Sequence, residues 1–321
     1  MKYYFLFLFC IQFSKRIKMK SQFKIKDLPK LLKIAVKEWW KKDPFRQSAV
    51  IAYYAIFSLP GLLVVIVALA GYFFGAEAVT GRLAAEFSKT MGKDTALQIQ
   101  AMVAKASFLE NSIWATIIGG ITIIVGATGV FVQMQESLNR IWEVKADETK
   151  SGVWTVVRTR LFSFGLIITI AFILMISLVV SSLLSALNTW LSGRFPDFIL
   201  IGMQIVNFLI SFFIITLMFA MMYKILPDAK IKWRHVWVGS FLTAFLFGVG
   251  KFGLGFYFGE ANPGEGYGPA GSVILILLWV SYSTLIVLFG AEFTKSFANF
   301  MDGDIKPEAH AKIKITPVET P

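Results

Sequence analysis

Six long apolar runs that contain almost no charge constrain this chain more than any other feature. They cover about residues 48–74, 113–133, 161–187, 198–222, 236–258 and 271–294. Their interiors hold only two formal charges, Lys251 and Glu292. A helix of about 20 apolar residues crosses the roughly 30 Å hydrocarbon core of a bilayer. The sequence therefore predicts an all-α, polytopic membrane protein, a bundle of six transmembrane helices.

The distribution of basic residues indicates the orientation. Of the 32 Lys and Arg residues, 26 lie in the segment 1–47, in the connections 134–160 and 223–235, and in the chain from residue 295 onward. The alternate connections together hold five. Because Lys and Arg accumulate on the cytoplasmic side of membrane proteins, we predict that both termini face the cytoplasm. This asymmetry explains the net charge of +12 without a nucleic-acid partner.

The chain divides into three parts. Residues 1–27 form an N-terminal extension that is either disordered or a gene-start artefact, with translation beginning at Met19. Residues 28–300 form the membrane domain. Residues 301–321 form a cytoplasmic tail that we expect to be disordered.

Two amphipathic segments flank the first apolar run. Residues 28–42 place Leu and Trp on one helical side and Lys on the other. This pattern fits an interfacial helix on the anionic leaflet or a short cytoplasmic helix packed on the bundle. The connection 75–112 is also amphipathic, and it predicts one or two helices that cap the outer mouth between spans one and two.

Polar groups inside the apolar runs indicate a cavity in the outer half of the membrane. Lys251, Gln204 and Asn207 fall at similar depth, about 10 Å below the outer surface, counted at 1.5 Å per residue. Ser177 and Ser181 lie in the outer half of the third span, on one helical face. These five residues predict a polar cavity that favours an anionic lipid or amphipathic substrate. The alternative is that Lys251 extends to the interface and the serines bond to their own backbone.

A second polar group is predicted near the cytoplasmic end. Glu292 lies too far from Lys251 in depth to pair with it, so arginines at its own boundary are its expected partners. One helical face at the end of the second span carries Gln133, Glu136 and Arg140, which are spaced i, i+3 and i+7. Together they predict either a gate network or a structural clamp, whose candidate members are Gln133, Glu136, Arg140, Glu292, Arg46 and Arg160.

Two features concern helix mechanics. Pro60 lies in the middle of the first run, where a proline removes a backbone donor and kinks a helix. In the fifth run Ser240, Ala244 and Gly248 recur every four residues. Small residues at this spacing indicate close helix packing, with a hinge as the alternative.

Four segments in order resemble one bacterial family. They read QSAVIAYYAIFSLPGLLVVI, GATGVFVQMQESLNRIWEVK, ILPDAKIKWRHVWVGSFLTA and YGPAGSVILILLWVSYSTLIVLFGAEFTK. They are similar to the YihY/BrkB proteins of the bacterial inner membrane, long labelled "ribonuclease BN". The resemblance implies six spans, a multi-pass inner-membrane location, an association with the cell envelope and possible movement of lipids. It also implies that the ribonuclease label is a misassignment.

No catalytic motif supports an enzyme. The chain has two His and one Cys, without a metal-ligand spacing, a P-loop or a nucleophile elbow. We therefore expect neither enzymatic activity nor a cofactor, and we reject the nuclease. The leading hypothesis is a transporter or flippase-like carrier of lipid or amphipathic solute. The alternative is a non-transporting structural or partner-binding envelope protein.

Overall fold

The computed structural model describes residues 24–91, 93–107, 129–146, 165, 197–261, 263–303, 305–308 and 311–313, and these are almost entirely helical. Short 3-10 turns occupy Ile25–Asp27 and Glu265–Ala270. The α-helices are α1 (Leu28–Lys41), α2 (Pro44–Phe74), α3 (Ala76–Met91), α4 (Lys93–Ser107), α5 (129–142), α6 (Asp197–Ile225), α7 (Trp233–Ala261) and α8 (Gly271–Asp302).

Four helices of the described part are long and apolar enough to cross a membrane. The qualifying segments are Pro44–Val64 within α2, Gln204–Ile225 within α6, and the whole of α7 and α8. They correspond to the first, fourth, fifth and sixth apolar runs of the sequence. The second and third runs lie outside the described residues, apart from 129–133 and 165. The full set of six spans therefore stays a prediction.

The last helix, α8, packs against both α2 and α7, and α6 packs against α7. Glycine permits the closest approach of α7 and α8, because a side chain at Gly239 would overlap Thr294 and one at Gly290 would overlap Thr243. Tyr223 of α6 reaches into the same interface, where its hydroxyl donates to the Val287 carbonyl at 2.7 Å. Close packing of α7 is therefore present, but at other positions than the predicted repeat: Ser240 and Ala244 are buried, whereas nothing lies within 4 Å of a side chain added at Gly248.

A sharp break separates α1 from α2. Asp43 adopts a left-handed conformation (φ 50°), which Asp tolerates better than most residues, and Pro44 then opens α2 with a φ already suited to a helix. The break lets α1 turn back onto the bundle. Its Leu31 and Ala35 pack against Phe293 and Phe297 of α8. This packing accounts for part of the apolar side of α1. Val36 and Trp40 are exposed, and contact of the helix with the membrane surface stays a prediction.

Helices α3 and α4 cover the opposite end of α8 from α1. Val79 of α3 and Ile99 of α4 pack into a cluster with Leu63 of α2, Phe258 of α7 and Ile276 of α8. The amphipathic connection therefore forms two helices that close over the ends of three spans. That this end faces outward remains a prediction.

Four short strands tie the C-terminal tail to two loops. Val144–Ala146 (β1) pairs antiparallel with Ala311–Ile313 (β4), and Ala229–Lys230 (β2) pairs with Lys306–Pro307 (β3). Within 301–321 the structure thus describes two short strands, and disorder of the rest of the tail stays a prediction. The pairing uses backbone groups, so two- and three-residue strands leave almost no pattern in the sequence.

Candidate functional site

A buried ion pair lies where α1, α2, α5 and α8 meet. Lys42 Nζ donates to Glu292 Oε2 at 2.7 Å and to the Ile141 carbonyl at 3.0 Å. The Glu292 side chain is only 2% exposed, so its charge needs a partner at this distance. The turn at Asp43 directs the Lys42 side chain to α5 and α8. Gln47 Nε2 donates to the Lys42 carbonyl at 2.5 Å.

Two further charges complete what we call the Lys42 cluster, formed by Lys42, Glu143, Glu292 and Lys295. Lys295 Nζ donates to Glu143 Oε1 at 2.5 Å, and Lys42 Nζ lies 3.6 Å from the same oxygen. Burial opposes ionisation of Glu143, but the hydrogen bond from Lys295 and the charges of Lys295 and Lys42 outweigh it and hold the pKa of Glu143 below its ordinary value. The cluster therefore brings two lysines and two glutamates together where the ends of α1 and α5 meet α8.

The partner of Glu292 differs from the one expected. The sequence favoured Arg46, Arg140 or Arg160, and the structure places Lys42 there instead. Arg46 lies 3.6 Å from Asp43, and Arg160 is outside the described residues. The signal missed was the Asp-Pro break, because it lets the lysine just before it turn inward.

Next to this cluster, an open cleft separates the first turns of α2 from α5. Its volume is about 280 Å³. We call it the α2–α5 cleft, and its lining consists of Arg46, Gln47, Val50, Gln133, Glu136, Ser137 and Arg140. The structure thus brings together four of the six residues predicted for a gate or clamp, namely Arg46, Gln133, Glu136 and Arg140.

Two side-chain oxygens of residues that line the cleft are buried and lack a hydrogen-bond partner within the described residues. Gln47 is 6% and Ser137 is 3% exposed, and neither Gln47 Oε1 nor Ser137 Oγ has a hydrogen-bond partner there. A buried polar atom without a hydrogen bond costs about 1–3 kcal/mol. Both residues escaped the sequence analysis, because the pattern of one helix does not report what the facing helix presents.

The opposite face of α5 fixes its rotation. Gln135 Nε2 and Asn139 Nδ2 donate to the Asp228 carboxylate at 3.2 and 2.7 Å, and the Asp228 amide donates back to Asn139 Oδ1 at 2.8 Å. Because these bonds hold one side of α5 against the 226–230 loop, Glu136 and Arg140 remain directed at the cleft.

A third polar group joins the start of α7 to the end of α8. The Asp302 carboxylate accepts from Lys232 at 2.8 Å, from His235 Nε2 at 2.7 Å and from Arg234. His235, one of two histidines in the sequence, therefore serves a structural contact. Within the described residues, no group of three His, Cys, Asp or Glu side chains could hold a metal ion.

The residues predicted for the outer cavity are placed only in part. Gln204 and Asn207 are exposed on α6, and Lys251 is exposed on the neighbouring helix α7. Ser177 and Ser181 lie outside the described residues, so the shared cavity stays a prediction. Pro60 lies inside α2, as expected.

Comparisons with known proteins identify the family. A family model described as "Virulence factor BrkB" matches residues 35–314. The chain is 27% identical over 261 residues to a UPF0761 membrane protein of Pseudoalteromonas atlantica, which covers 80% of this chain and 82% of that protein. A UPF0761 membrane protein of Alteromonas mediterranea is 29% identical over 213 residues, with 65% and 67% covered. One of Stenotrophomonas maltophilia is 25% identical over 258 residues, with 80% and 58% covered.

No solved structure matches this chain. The family model covers most of it, and the described helices include four that are long and apolar enough to cross a membrane. The chain is therefore an integral membrane protein of the virulence factor BrkB family, the YihY/BrkB family that its sequence motifs resemble.

Proposed function

We propose that this protein is a carrier that moves a lipid or an amphipathic solute across the membrane. The observation that carries the proposal is the α2–α5 cleft, an open polar space at the end of a transmembrane helix. Structural polar groups near a membrane are normally satisfied by one another. Here Gln47 Oε1 and Ser137 Oγ are buried without a partner in the described structure, and three charged side chains line the same space.

An apolar stripe beside the cleft supports an amphipathic substrate. Arg46, Val50, Tyr53 and Phe57 share one face of α2 by their helical spacing. Val50 lines the cleft, while Tyr53 and Phe57 are 59% and 65% exposed further along the helix. A molecule with a polar head in the cleft would lay its apolar part along this stripe. By the distribution of Lys and Arg, this end of the bundle is the cytoplasmic one.

The Lys42 cluster supports a different role. Its four charges are paired, and all but Glu143 are largely buried, so we assign it to holding α1, α5 and α8 together rather than to binding a solute. It would provide the fixed wall beside which the cleft opens or closes. This division assigns the clamp to Glu292 and the gate to Arg46, Gln133, Glu136 and Arg140.

A second candidate function rests on the same ties. The Lys42 cluster and the two strand pairs connect the tail and two loops to the helix bundle. Such a braced surface would also suit a non-transporting envelope protein that binds a partner. The two candidates differ in one measurable property, which is movement of solute by the purified protein.

The test is lipid movement in proteoliposomes. Fluorescent lipids and single-chain amphiphiles are incorporated in both leaflets, and an impermeant quencher is added outside, with and without a pH gradient and a membrane potential. We expect the quencher to remove more of the fluorescence in vesicles that contain the protein than in protein-free vesicles, because the protein moves probe from the inner to the outer leaflet. The double variant Arg46→Ala/Arg140→Ala should lose this effect. Lys33→Ala/Lys37→Ala, which removes the same charge from exposed positions of α1, should keep it.

Quenching equal to that in protein-free vesicles, for every probe and every gradient, would refute the carrier. The folded state is checked in the same samples by the thermal unfolding of the protein, so that a denatured preparation is recognised.

A further inference from the structure

We infer that the α2–α5 cleft binds the headgroup of an aminophospholipid, that is, a phosphate and a primary ammonium carried by one lipid. The inference rests on the proposed function and adds the chemical class of its substrate. It follows from which hydrogen-bonding groups of the cleft are donors and which are acceptors.

The positive groups of the cleft suit a phosphate. Arg46 comes from α2 and Arg140 from the facing helix α5, so the two guanidinium groups border the cleft from both helices. Arginine binds phosphate oxygens through two parallel N–H bonds.

A phosphate alone would leave a negative group of the cleft without a partner. Glu136 adds a carboxylate to the same lining as the two arginines. A carboxylate beside two arginines favours a ligand that also donates, and a primary ammonium donates three hydrogen bonds.

The source of this headgroup is a lipid rather than a free phosphoamine. The cleft volume of about 280 Å³ is near the lower end of ligand pockets, which span roughly 300–1,000 Å³, so it holds a headgroup and not two acyl chains. Val50 opens the cleft toward the exposed Tyr53 and Phe57, whose ring centroids are 4.9 Å apart. This surface offers the acyl chains an apolar path continuous with the headgroup site.

The experiment measures binding without transport. Purified protein in detergent is titrated with phosphatidylethanolamine, phosphatidylserine, phosphatidylcholine and phosphatidylglycerol of identical acyl chains, and bound lipid is counted by native mass spectrometry. We expect the two primary amines to bind about tenfold more tightly than phosphatidylglycerol, which lacks the amine, or phosphatidylcholine, whose ammonium has no N–H. A tenfold preference corresponds to about 1.4 kcal/mol.

Glu136→Gln keeps the size of the side chain and removes its charge, so it should abolish the preference for phosphatidylethanolamine over phosphatidylglycerol. Glu260→Gln changes an exposed carboxylate at the far end of α7 and should leave the preference intact. Arg46→Ala/Arg140→Ala should weaken all four lipids. A preference that survives Glu136→Gln, or equal binding of phosphatidylcholine, would overturn the inference. Soluble glycerophosphoethanolamine that competes as well as the lipid would overturn the lipid assignment.

The outcomes separate this inference from the carrier itself. Lipid movement in proteoliposomes without a headgroup preference would retain the carrier and reject the aminophospholipid. Selective binding of phosphatidylethanolamine or phosphatidylserine without any lipid movement would reject the carrier and retain the headgroup site.

Discussion

Lys42 and Glu292 lie 250 positions apart in the chain, and Lys42 Nζ is 2.7 Å from Glu292 Oε2. The contact joins the turn before the first transmembrane helix to the end of the last one. It therefore links the beginning of the helix bundle in the sequence to its last helix. Because Glu292 is almost fully buried, the pair should behave as a unit whose members cannot be removed singly without cost.

We therefore expect Lys42→Met to destabilise the protein by about 3–5 kcal/mol, since it leaves a buried carboxylate without its main counter-charge. The double variant Lys42→Met/Glu292→Leu should be less destabilised than the sum of the single variants. Thermal unfolding in detergent, followed by tryptophan fluorescence, measures this. Lys41→Met removes an exposed charge one residue away and should change little. Additive single-variant effects would contradict the coupling.

The α7–α8 interface gives a second prediction. Gly290→Ala should lower the unfolding midpoint strongly, because the new methyl group would overlap Thr243 and the Tyr223 hydroxyl. Gly253→Ala adds a methyl group on α7 where nothing lies within 4 Å. It should be neutral or slightly stabilising, by up to about 1 kcal/mol, because alanine favours a helix over glycine. Equal effects of the two substitutions would mean that the close approach does not exist.

Topology is tested with cysteines in a Cys10→Ser background. Lys230 and Glu265 are exposed at the two ends of α7. In spheroplasts, an impermeant thiol reagent should label Glu265→Cys and should label Lys230→Cys only after the membrane is opened. The reverse pattern would place the α2–α5 cleft on the outer side. Labelling of both from outside would show that α7 does not cross the membrane.

The predicted outer cavity depends on Lys251. If its amine serves a polar site shared with Gln204 and Asn207, Lys251→Met should abolish solute movement while leaving insertion and the unfolding midpoint unchanged. Lys251→Arg should retain part of the activity because it keeps the charge. Full activity of Lys251→Met in the proteoliposome assay would show that the lysine has no part in transport.

The sequence was most informative where a physical constraint acts along one helix. Apolar length predicted α2, α6, α7 and α8 within a few residues at most boundaries, since the hydrocarbon core requires it. The helical face shared by Gln133, Glu136 and Arg140 lines one cleft, although Glu292, which was expected to join them, pairs with Lys42 instead. Such patterns depend on spacing within a single helix, which a sequence records directly.

Contacts between distant segments were less accessible. Lys42 follows a row of lysines on α1 and gives no sign that it turns inward to Glu292. Gln47 and Ser137 acquire their meaning only when α2 and α5 face each other. The tail strands were missed because backbone pairing at Ala311–Ile313 and Lys306–Pro307 imposes no periodicity on side chains.

The pairing of the tail also sets an order of assembly during synthesis. Ala311–Ile313 and Lys306–Pro307 leave the ribosome after α8, whereas their partners β1 and β2 leave it before α7. The two loops must therefore wait, unpaired, while the later helices insert. Closure of both strand pairs would therefore be among the last steps of biogenesis, after the final helix has been synthesised.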